Sequence, residues 1–170
     1  GDSQVCLWIG DANSGALRRL VDEDFELFPS TTLHWHPDGD RLAVIADIRG
    51  LHRIAVVDVV DDATPLVFKR GLRSAMTLAQ CGDRLAYVAM GMRGLNEVYT
   101  CAWDGSDEQR HTRLNPWFRH RPRPGVRKRR FAVPDGNGGI EHIEAWVRLP
   151  AGGEGPFPLL GDLPAGPDRI

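Results

Sequence analysis

Short apolar segments separated by turn residues dominate the first two thirds of the chain. Residues 31–37, 41–48, 53–60 and 66–70 are rich in aliphatic and β-branched side chains. Glycine, aspartate and proline fill the gaps between them, as in the sequence DGD at residues 38–40. Apolar segments of this length that alternate with turn sequences are typical of antiparallel strands. The pattern therefore predicts a mainly β protein built from consecutive hairpins.

This pattern is repeated along the chain. The sequence GDRLA at residues 39–43 returns at residues 82–86, which is 43 residues later. The sequence RGL at 49–51 returns at 93–95, and the segment 53–60 corresponds to 97–104. A repeat of about 40–45 residues with four strands is the signature of a β-propeller blade. We therefore expect a partial propeller over residues 1–114, with a half-blade at 1–30 and full blades at 31–70 and 71–114.

The half-blade consists of two predicted strands, at residues 4–10 and 16–21. An acidic connector follows it, formed by Asp22, Glu23, Asp24 and Glu26. A solvated loop explains this connector better than a metal site does. With the half-blade included, the sequence predicts about two and a half four-stranded blades.

The last third of the chain has a different pattern. Residues 115–125 contain three prolines and predict an extended linker. Residues 126–134 and 140–149 predict a hairpin around the turn sequence DGNGG. Residues 156–163 form an apolar segment that suits a strand buried on both faces of an α/β sheet. Residues 126–170 are therefore expected to be the first strands of a second, α/β domain.

Composition and charge narrow the function classes. The 170 residues are 42% hydrophobic and 26% charged, and the net charge is −2. This balance argues against a dedicated nucleic-acid binder. Seven lysine or arginine residues lie between positions 119 and 130. They could contact an acidic partner or a nucleic acid, but a solvated linker is favoured because no aromatic side chain lies among them.

The spacing of the cysteines and the length of the apolar segments indicate in which cellular compartment the protein is located. Cys6, Cys81 and Cys101 are odd in number and far apart, which argues against a disulfide framework and an all-cysteine zinc site. No apolar segment approaches the roughly 18 residues that span a bilayer, and residues 1–10 do not resemble a signal peptide. The sequence therefore predicts a cytoplasmic protein without a membrane partner.

Other candidate chemistry is weak. His34 and His36 are two residues apart and would face one side of a strand, so that together with His52 they could suggest a metal site. Ordinary polar residues on a blade strand explain them better. Asp135 and Glu141 flank the predicted hairpin turn, where turn chemistry is the simpler role. No cofactor-binding motif is found, so the sequence predicts no cofactor and no metal.

Three segments give the chain a resemblance to a known family. The sequence LHWHPDGDRLA at 33–43 is similar to a W-S-P-D-G-x-x-L-A blade motif. Residues 131–150 resemble a D-G…I-x-G-W…P crossing from a propeller into a hydrolase domain. The sequence FPLLGDLPAGP at 157–167 is similar to P-L-L-V-x-x-H-G-G-P. In this order they resemble the prolyl oligopeptidase family of serine peptidases, in its acylaminoacyl-peptidase and dipeptidyl-peptidase-like branches.

The resemblance implies a peptidase whose Ser, Asp and His triad lies on an α/β-hydrolase domain, with a propeller that screens peptide substrates. It places an oxyanion loop at residues Leu163, Pro164, Ala165, Gly166 and Pro167. Pro164 has no N–H to donate, and only Gly166 and Pro167 match the family motif, so this loop is degenerate. No serine of the chain stands in a G-x-S-x-G motif. The chain is therefore expected to carry no catalytic residue and to be an inactive segment of a larger enzyme.

Two other hypotheses remain open at this point. The chain could be a non-catalytic, TolB-like propeller module that binds a protein or peptide, or it could bind an acidic partner through residues 119–130. The predicted crossing hairpin favours the peptidase, since a plain propeller would continue with another blade there. The expected partner is the peptide substrate of the parent enzyme, without nucleic acid, and open blade edges predict self-association of the isolated chain.

Overall fold

The fold is described by a computed structural model, in which residues 5–22, 25–61, 64–68, 70–92 and 94–161 are described. The chain divides into two compact units, Gly1–Asn115 and Pro116–Ile170. Within the described residues the regular structure is antiparallel β-sheet and one short 3₁₀ helix, with no α-helix. The prediction of a mainly β protein built from hairpins is confirmed.

The first unit contains three separate antiparallel sheets, which we number in chain order. The first sheet is the hairpin of β1 (Trp8–Gly10) and β2 (Leu17–Arg19). The second sheet contains β3 (Glu26–Leu27), β4 (His34–Trp35), β5 (Arg41–Asp47), β6 (His52–Asp58) and β7 (Leu66–Val67). The third sheet contains β8 (Arg73–Cys81), β9 (Arg84–Gly91), β10 (Glu97–Ala102) and β11 (Gln109–Arg110).

The second sheet is an antiparallel meander with four strand positions, and two short strands, β3 and β4, share the first position. Both β3 and β4 pair with β5, through Leu27 opposite Ala46 and His34 opposite Ala43. Residues 28–33 loop out between them. The hydroxyl of Thr31 fills the gap, since it accepts a hydrogen bond from the Ile45 N–H at 2.7 Å. Glu26, predicted to belong to a connector, is therefore part of a strand; Glu23 and Asp24 lie outside the described residues.

The third sheet is an uninterrupted meander in the order β8–β9–β10–β11. Gly82 and Asp83 connect β8 to β9 in a two-residue turn, and Gly82 has a φ of 60°. The equivalent Gly39 of the second sheet has a φ of 83°. Glycine adopts this left-handed conformation without steric cost. The repeated GDRLA sequence thus forms the same structure in both sheets: a glycine turn followed by a long central strand, β5 or β9.

Alternating side chains of β5 and β6 divide the core into two clusters. Val44 and Val57 point to one face of the second sheet and pack with Leu7 and Leu20 from the first sheet and its flanks. Ile45 and residues on the same face pack with a cluster from the third sheet that includes Leu78, Leu85 and Tyr87. The second sheet is therefore buried on both faces, which explains why β5 reads LAVIA without polar alternation.

Gly105 occupies a tight turn after β10 and provides a stability prediction. Its φ is 78°, and a Cβ at this position would lie 3.0 Å from the ring of Phe68. Gly82 has a similar φ of 60°, but a Cβ there would meet nothing within 4 Å. Both alanine variants incur the left-handed backbone cost of about 1 kcal/mol, and Gly105→Ala also displaces Phe68.

We expect Gly105→Ala to lose about 1 kcal/mol more stability than Gly82→Ala, since a core ring must shift. Urea unfolding followed by tryptophan fluorescence measures both variants. Equal losses would mean that Phe68 does not pack against this turn.

The second unit contains the 3₁₀ helix Pro116–His120 and one long hairpin. Strands β12 (Gly125–Pro134) and β13 (Ile140–Leu149) pair over their full length, with Val126 opposite Arg148. The turn between them is held by Asp135, whose Oδ1 accepts the N–H groups of Asn137 and Gly139, both at 2.8 Å. The hairpin prediction is confirmed.

Two predictions for this unit are wrong. Residues 115–125 are not extended throughout, because Pro116–His120 forms the 3₁₀ helix. The strand predicted at 156–163 is absent over its described part, residues 156–161, where Leu159 is 95% exposed and Leu160 is 93% exposed. A strand buried on both faces needs neighbours for its backbone and cover for its side chains. The described residues of this unit provide neither.

Candidate functional site

The predicted oxyanion loop, residues 163–167, lies outside the described residues and stays a prediction. Asp135 lies in the hairpin turn, in the role that turn chemistry predicted. Across the part of the chain that the structure describes, no three His, Cys, Asp or Glu side chains are grouped so that they could hold a metal ion.

The three histidines considered for a metal site have separate partners. The Nε2 of His34 lies 2.7 Å from the Thr32 hydroxyl and 2.9 Å from the carbonyl oxygen of Leu78. The Nδ1 of His36 lies 2.7 Å from an Asp38 carboxylate oxygen. His52 packs on Phe28 with ring centroids 4.1 Å apart. The structure therefore gives these residues roles within the sheets and their turns.

A polar cluster in the described part of the first unit surrounds Glu108, just before β11. We call Arg70, Arg73, Tyr87 and Glu108 the Glu108 cluster. Arg73 Nη2 donates to both carboxylate oxygens, at 2.7 and 2.9 Å. Arg70 Nε lies 3.0 Å from Oε2 as an ion pair rather than as an aligned hydrogen bond. The Tyr87 hydroxyl donates a short hydrogen bond to the same oxygen.

The members of the Glu108 cluster lie on different strands of the third sheet or in the segments next to them. Arg73 begins β8, Tyr87 lies in the middle of β9, and Arg70 precedes β8. The ring of Tyr87 stacks on Tyr99 at 5.6 Å, and the guanidinium of Arg73 lies 4.8 Å from the Tyr99 ring centroid. Packing on the one ring of Tyr99 therefore positions both the arginine and the phenol that bind Glu108.

The electrostatics follow from partial burial of one anion among several donors. Burial alone would raise the pKa of Glu108, but the hydrogen bonds from Tyr87 and Arg73 and the two arginine charges lower it below its usual value. Burial and the nearby carboxylate raise the pKa of Tyr87. Burial raises the pKa of the Cys101 thiol. Glu108 is therefore held as a carboxylate and Tyr87 as a neutral donor at neutral pH.

A small cavity adjoins the cluster on the side of the second sheet. Its volume is about 10 Å³, space for about one water molecule. His52, Arg53, Arg70 and Arg73 line it together with apolar side chains that include Phe68. Arginines from two sheets, Arg53 and Arg73, thus line the same small cavity.

Arg70 and Arg73 pair with Glu108, whereas the hydrogen bonds of Arg53 in this region go to backbone oxygens. Its Nη2 donates to the carbonyl of Gly71 at 2.7 Å, and its Nη1 donates to the carbonyl of Arg73 at 3.3 Å. Burial, and secondarily the positive charge of Arg73, lower the pKa of Arg53. Two guanidinium groups therefore lie close enough to repel each other.

The carboxylate of Glu97 holds the end of the third sheet in place through several hydrogen bonds. Glu97 is 6% exposed. It accepts hydrogen bonds from Arg110 at 2.6 Å, from the Thr112 hydroxyl at 2.5 Å and from the Leu114 N–H at 3.1 Å. These bonds, with that from Thr112 first, lower the pKa of Glu97. The segment after β11 is held to β10 in this way, which is a structural role.

Sequence reasoning missed the Glu108 cluster. It weighed histidines and paired carboxylates, whereas the cluster is formed by arginines at strand ends and by one glutamate in a turn. The one signal in the sequence was position: Arg70 ends the predicted apolar segment 66–70, and Arg73 follows it by three residues. The convergence of Arg70, Arg73 and Tyr87 on Glu108 depends on the pairing of strands in the third sheet. The approach of Arg53 to this cluster depends on how the second and third sheets stack, and no local pattern encodes either arrangement.

The Glu108 cluster predicts a pH dependence of stability. Because the pKa of Glu108 is lowered on folding, its stabilising contribution is present above the usual value of 4.5 and is lost as pH falls through the lower folded value. We expect the difference in unfolding free energy between the wild type and Glu108→Gln to be largest near pH 7. It should shrink steadily below about pH 4.5.

Urea unfolding between pH 3 and pH 7 measures this difference. Asp107→Asn is the matched control, since its carboxylate pairs with Arg84 but is 59% exposed. A wild-type to Glu108→Gln difference that does not vary with pH would show that Glu108 is not held in its charged form by the cluster.

No protein-family model matches the chain, and no curated protein matches it. Among the described residues, no helix has the length and apolar character needed to cross a membrane.

Proposed function

We propose that this chain is a propeller segment and crossing hairpin of a serine peptidase of the prolyl oligopeptidase family, in which the propeller gates peptide access to a hydrolase active site. The observation that carries the proposal is the pair of consecutive antiparallel meanders, the five-stranded second sheet and the four-stranded third sheet. Their repeated GDRLA turns lie 43 residues apart in the sequence. Radial repetition of such sheets is the design of a propeller.

The way in which the sheets stack supports this interpretation. The second sheet packs on the first through one face and on the third through the other. Each sheet therefore contacts its neighbours in chain order, as the blades of a repeat protein do. The other face of the third sheet carries Ala86, Val88 and Val98, which are half-buried. In a propeller, the next blade would cover this face.

The second unit supports the peptidase over a plain propeller module. At the position where another blade would follow, the chain forms a hairpin of two ten-residue strands. This hairpin contains the sequence that resembles the family's crossing from propeller to hydrolase domain. The proposal places the catalytic serine, aspartate and histidine in that hydrolase domain, outside residues 1–170.

Covalent labelling of the native polypeptide tests the proposal. The chromosomal gene is tagged, and the purified polypeptide that contains these residues is treated with a fluorophosphonate, which reacts with activated serines. We expect one labelled serine, in a G-x-S-x-G sequence outside residues 1–170, and no label on residues 1–170 expressed alone.

Pre-treatment with a serine-directed phosphonate is the control, and it should remove the label. Absence of label on the native polypeptide would overturn the peptidase proposal. The stacked sheets would then belong to a non-catalytic propeller module that binds a protein or peptide. A labelled serine within residues 1–170 would overturn the placement of the active site.

A further inference from the structure

The cavity beside the Glu108 cluster has an excess of positive charge. Arg53, Arg70 and Arg73 line it, and Tyr87 is held neutral. The one carboxylate bound by these groups is Glu108, which pairs with Arg70 and Arg73. The Asp47 carboxylate lies 3.7 Å from His52, at the edge of the group. Three guanidinium groups thus line the cavity, and two of them, those of Arg70 and Arg73, pair with Glu108.

Arg53 and His52 could each donate a hydrogen bond to an anion because, among the described residues, Arg53 donates only to backbone carbonyls and the Nδ1 atom of His52 has no partner. The Arg53 guanidinium donates to backbone carbonyls and is repelled by Arg73. The Nδ1 atom of His52 is buried and has no hydrogen-bond partner. A buried polar atom without a partner costs about 1–3 kcal/mol, so such atoms call for an explanation. Both groups line the same cavity.

The apolar side chains that line the rest of the cavity strengthen the interaction between charges within it. Ile54, Phe68, Ala75 and Ala89 provide apolar surface around the polar groups. Charges that interact beside such surface are screened less than charges in water. The cavity is about 10 Å³, which suits one oxygen atom better than a whole tetrahedral phosphate. A planar carboxylate can insert one oxygen and leave the other at the rim.

We propose that this cavity is a carboxylate-binding site, in which Arg53 holds the carboxylate through its guanidinium and His52 donates a hydrogen bond from Nδ1. Arg73 provides a second positive charge from the opposite sheet. The bound anion relieves the repulsion between Arg53 and Arg73. The site is formed by the second and third sheets and the segment that joins them, so it does not rest on the proposed peptidase function. The carboxylate belongs either to a free small acid or to the C-terminus of a peptide.

Acetate is the probe for the site, with the intact 170-residue chain labelled with ¹⁵N. Arginine Nε–Hε resonances report on each guanidinium during a titration at constant ionic strength. We expect saturable shifts of the Arg53 and Arg73 signals with acetate and no matching shifts with chloride. N-acetylglycine compared with its amide, which lacks the carboxylate, distinguishes a peptide terminus: tighter binding of the acid than of acetate indicates a peptide source.

Substitutions assign the site to Arg53. Arg53→Gln should weaken acetate binding roughly tenfold or more, since a charged hydrogen bond is lost. Arg53→Lys keeps the charge but lacks the planar fork, so it should also bind more weakly than the wild type. Arg84→Gln is the matched control, because Arg84 pairs with Asp107 away from the cavity. It should leave acetate binding unchanged.

Three results would overturn the proposal. One is a wild-type titration in which the Arg53 signal does not shift saturably. Another is equal weakening by Arg53→Gln and Arg84→Gln, which would indicate general charge attraction. The third is phosphate binding at least as tight as acetate binding, which would contradict the size argument. The wild-type titration decides the matter even if a variant fails to fold.

Discussion

Replacement of Ile45 by alanine is expected to lower the free energy of unfolding by about 3 kcal/mol, within the range of 2–5 kcal/mol typical of such changes in a core. Ile45 is 1% exposed and belongs to the cluster shared by the second and third sheets. The substitution removes three carbon atoms from a packed contact between sheets. Urea unfolding followed by tryptophan fluorescence measures the loss.

Leu66→Ala is the control for this prediction. Leu66 lies in β7 of the same sheet but is 49% exposed. We expect its alanine variant to lose less than about 1 kcal/mol, because little apolar area leaves the core. Similar losses for the two variants would contradict the burial of β5 between two sheets.

Replacement of Glu108 by glutamine is the second large effect, with an expected loss of about 2–3 kcal/mol at pH 7. Removal of one partner of a fully buried ion pair costs about 3–5 kcal/mol. We expect a lower figure because the Glu108 side chain is 20% exposed. The variant leaves Arg70 and Arg73 without their counter-ion and weakens the bond from Tyr87. The same unfolding measurement applies.

Asp107→Asn is again the control for Glu108→Gln, since it removes the charge of the carboxylate next to Glu108 in the sequence. Asp107 is 59% exposed and binds Arg84, so its loss should cost less than about 1 kcal/mol. If Glu108→Gln were as mild as Asp107→Asn, the cluster would be a solvated surface feature. The charge excess that the carboxylate site depends on would then be screened as well.

The strands that sequence could predict are those with strong local signals. The 7-residue strands β5 and β6 lie inside the segments predicted from apolar content, and glycine turns mark their boundaries. The repeat also indicated that residues 39–60 and 82–104 form equivalent hairpins. They are indeed antiparallel hairpins, in the second and third sheets.

Short or interrupted elements had no such signal. β3 is two residues long and follows an acidic segment, so only its pairing with Asp47 and Ala46 identifies it as a strand. The opposite error occurred at residues 156–161, where an apolar sequence predicted a buried strand. Apolar composition indicates a strand only when neighbours are present to cover it. Local pattern could not show whether they were.

The Glu108 cluster and the cavity that Arg53 and Arg73 line beside it could not be predicted from the sequence for a related reason. Arg53 and Arg73 are 20 residues apart and lie in different sheets. Their proximity depends on the stacking of those sheets, and the inward direction of Tyr87 depends on its register with Tyr99. Arginine at a strand end is most often a solvated residue, so only three-dimensional convergence distinguishes these side chains.

An experimental structure of the intact native polypeptide would show directly whether the stacked sheets belong to a propeller. We expect residues 26–67 and 73–110 to form two adjacent blades of a closed propeller ring. The hairpin of β12 and β13 should lead into a hydrolase domain, with the ring over its catalytic serine. If the second and third sheets instead close on each other as a free-standing sandwich, with no further blades around them, the propeller proposal is wrong.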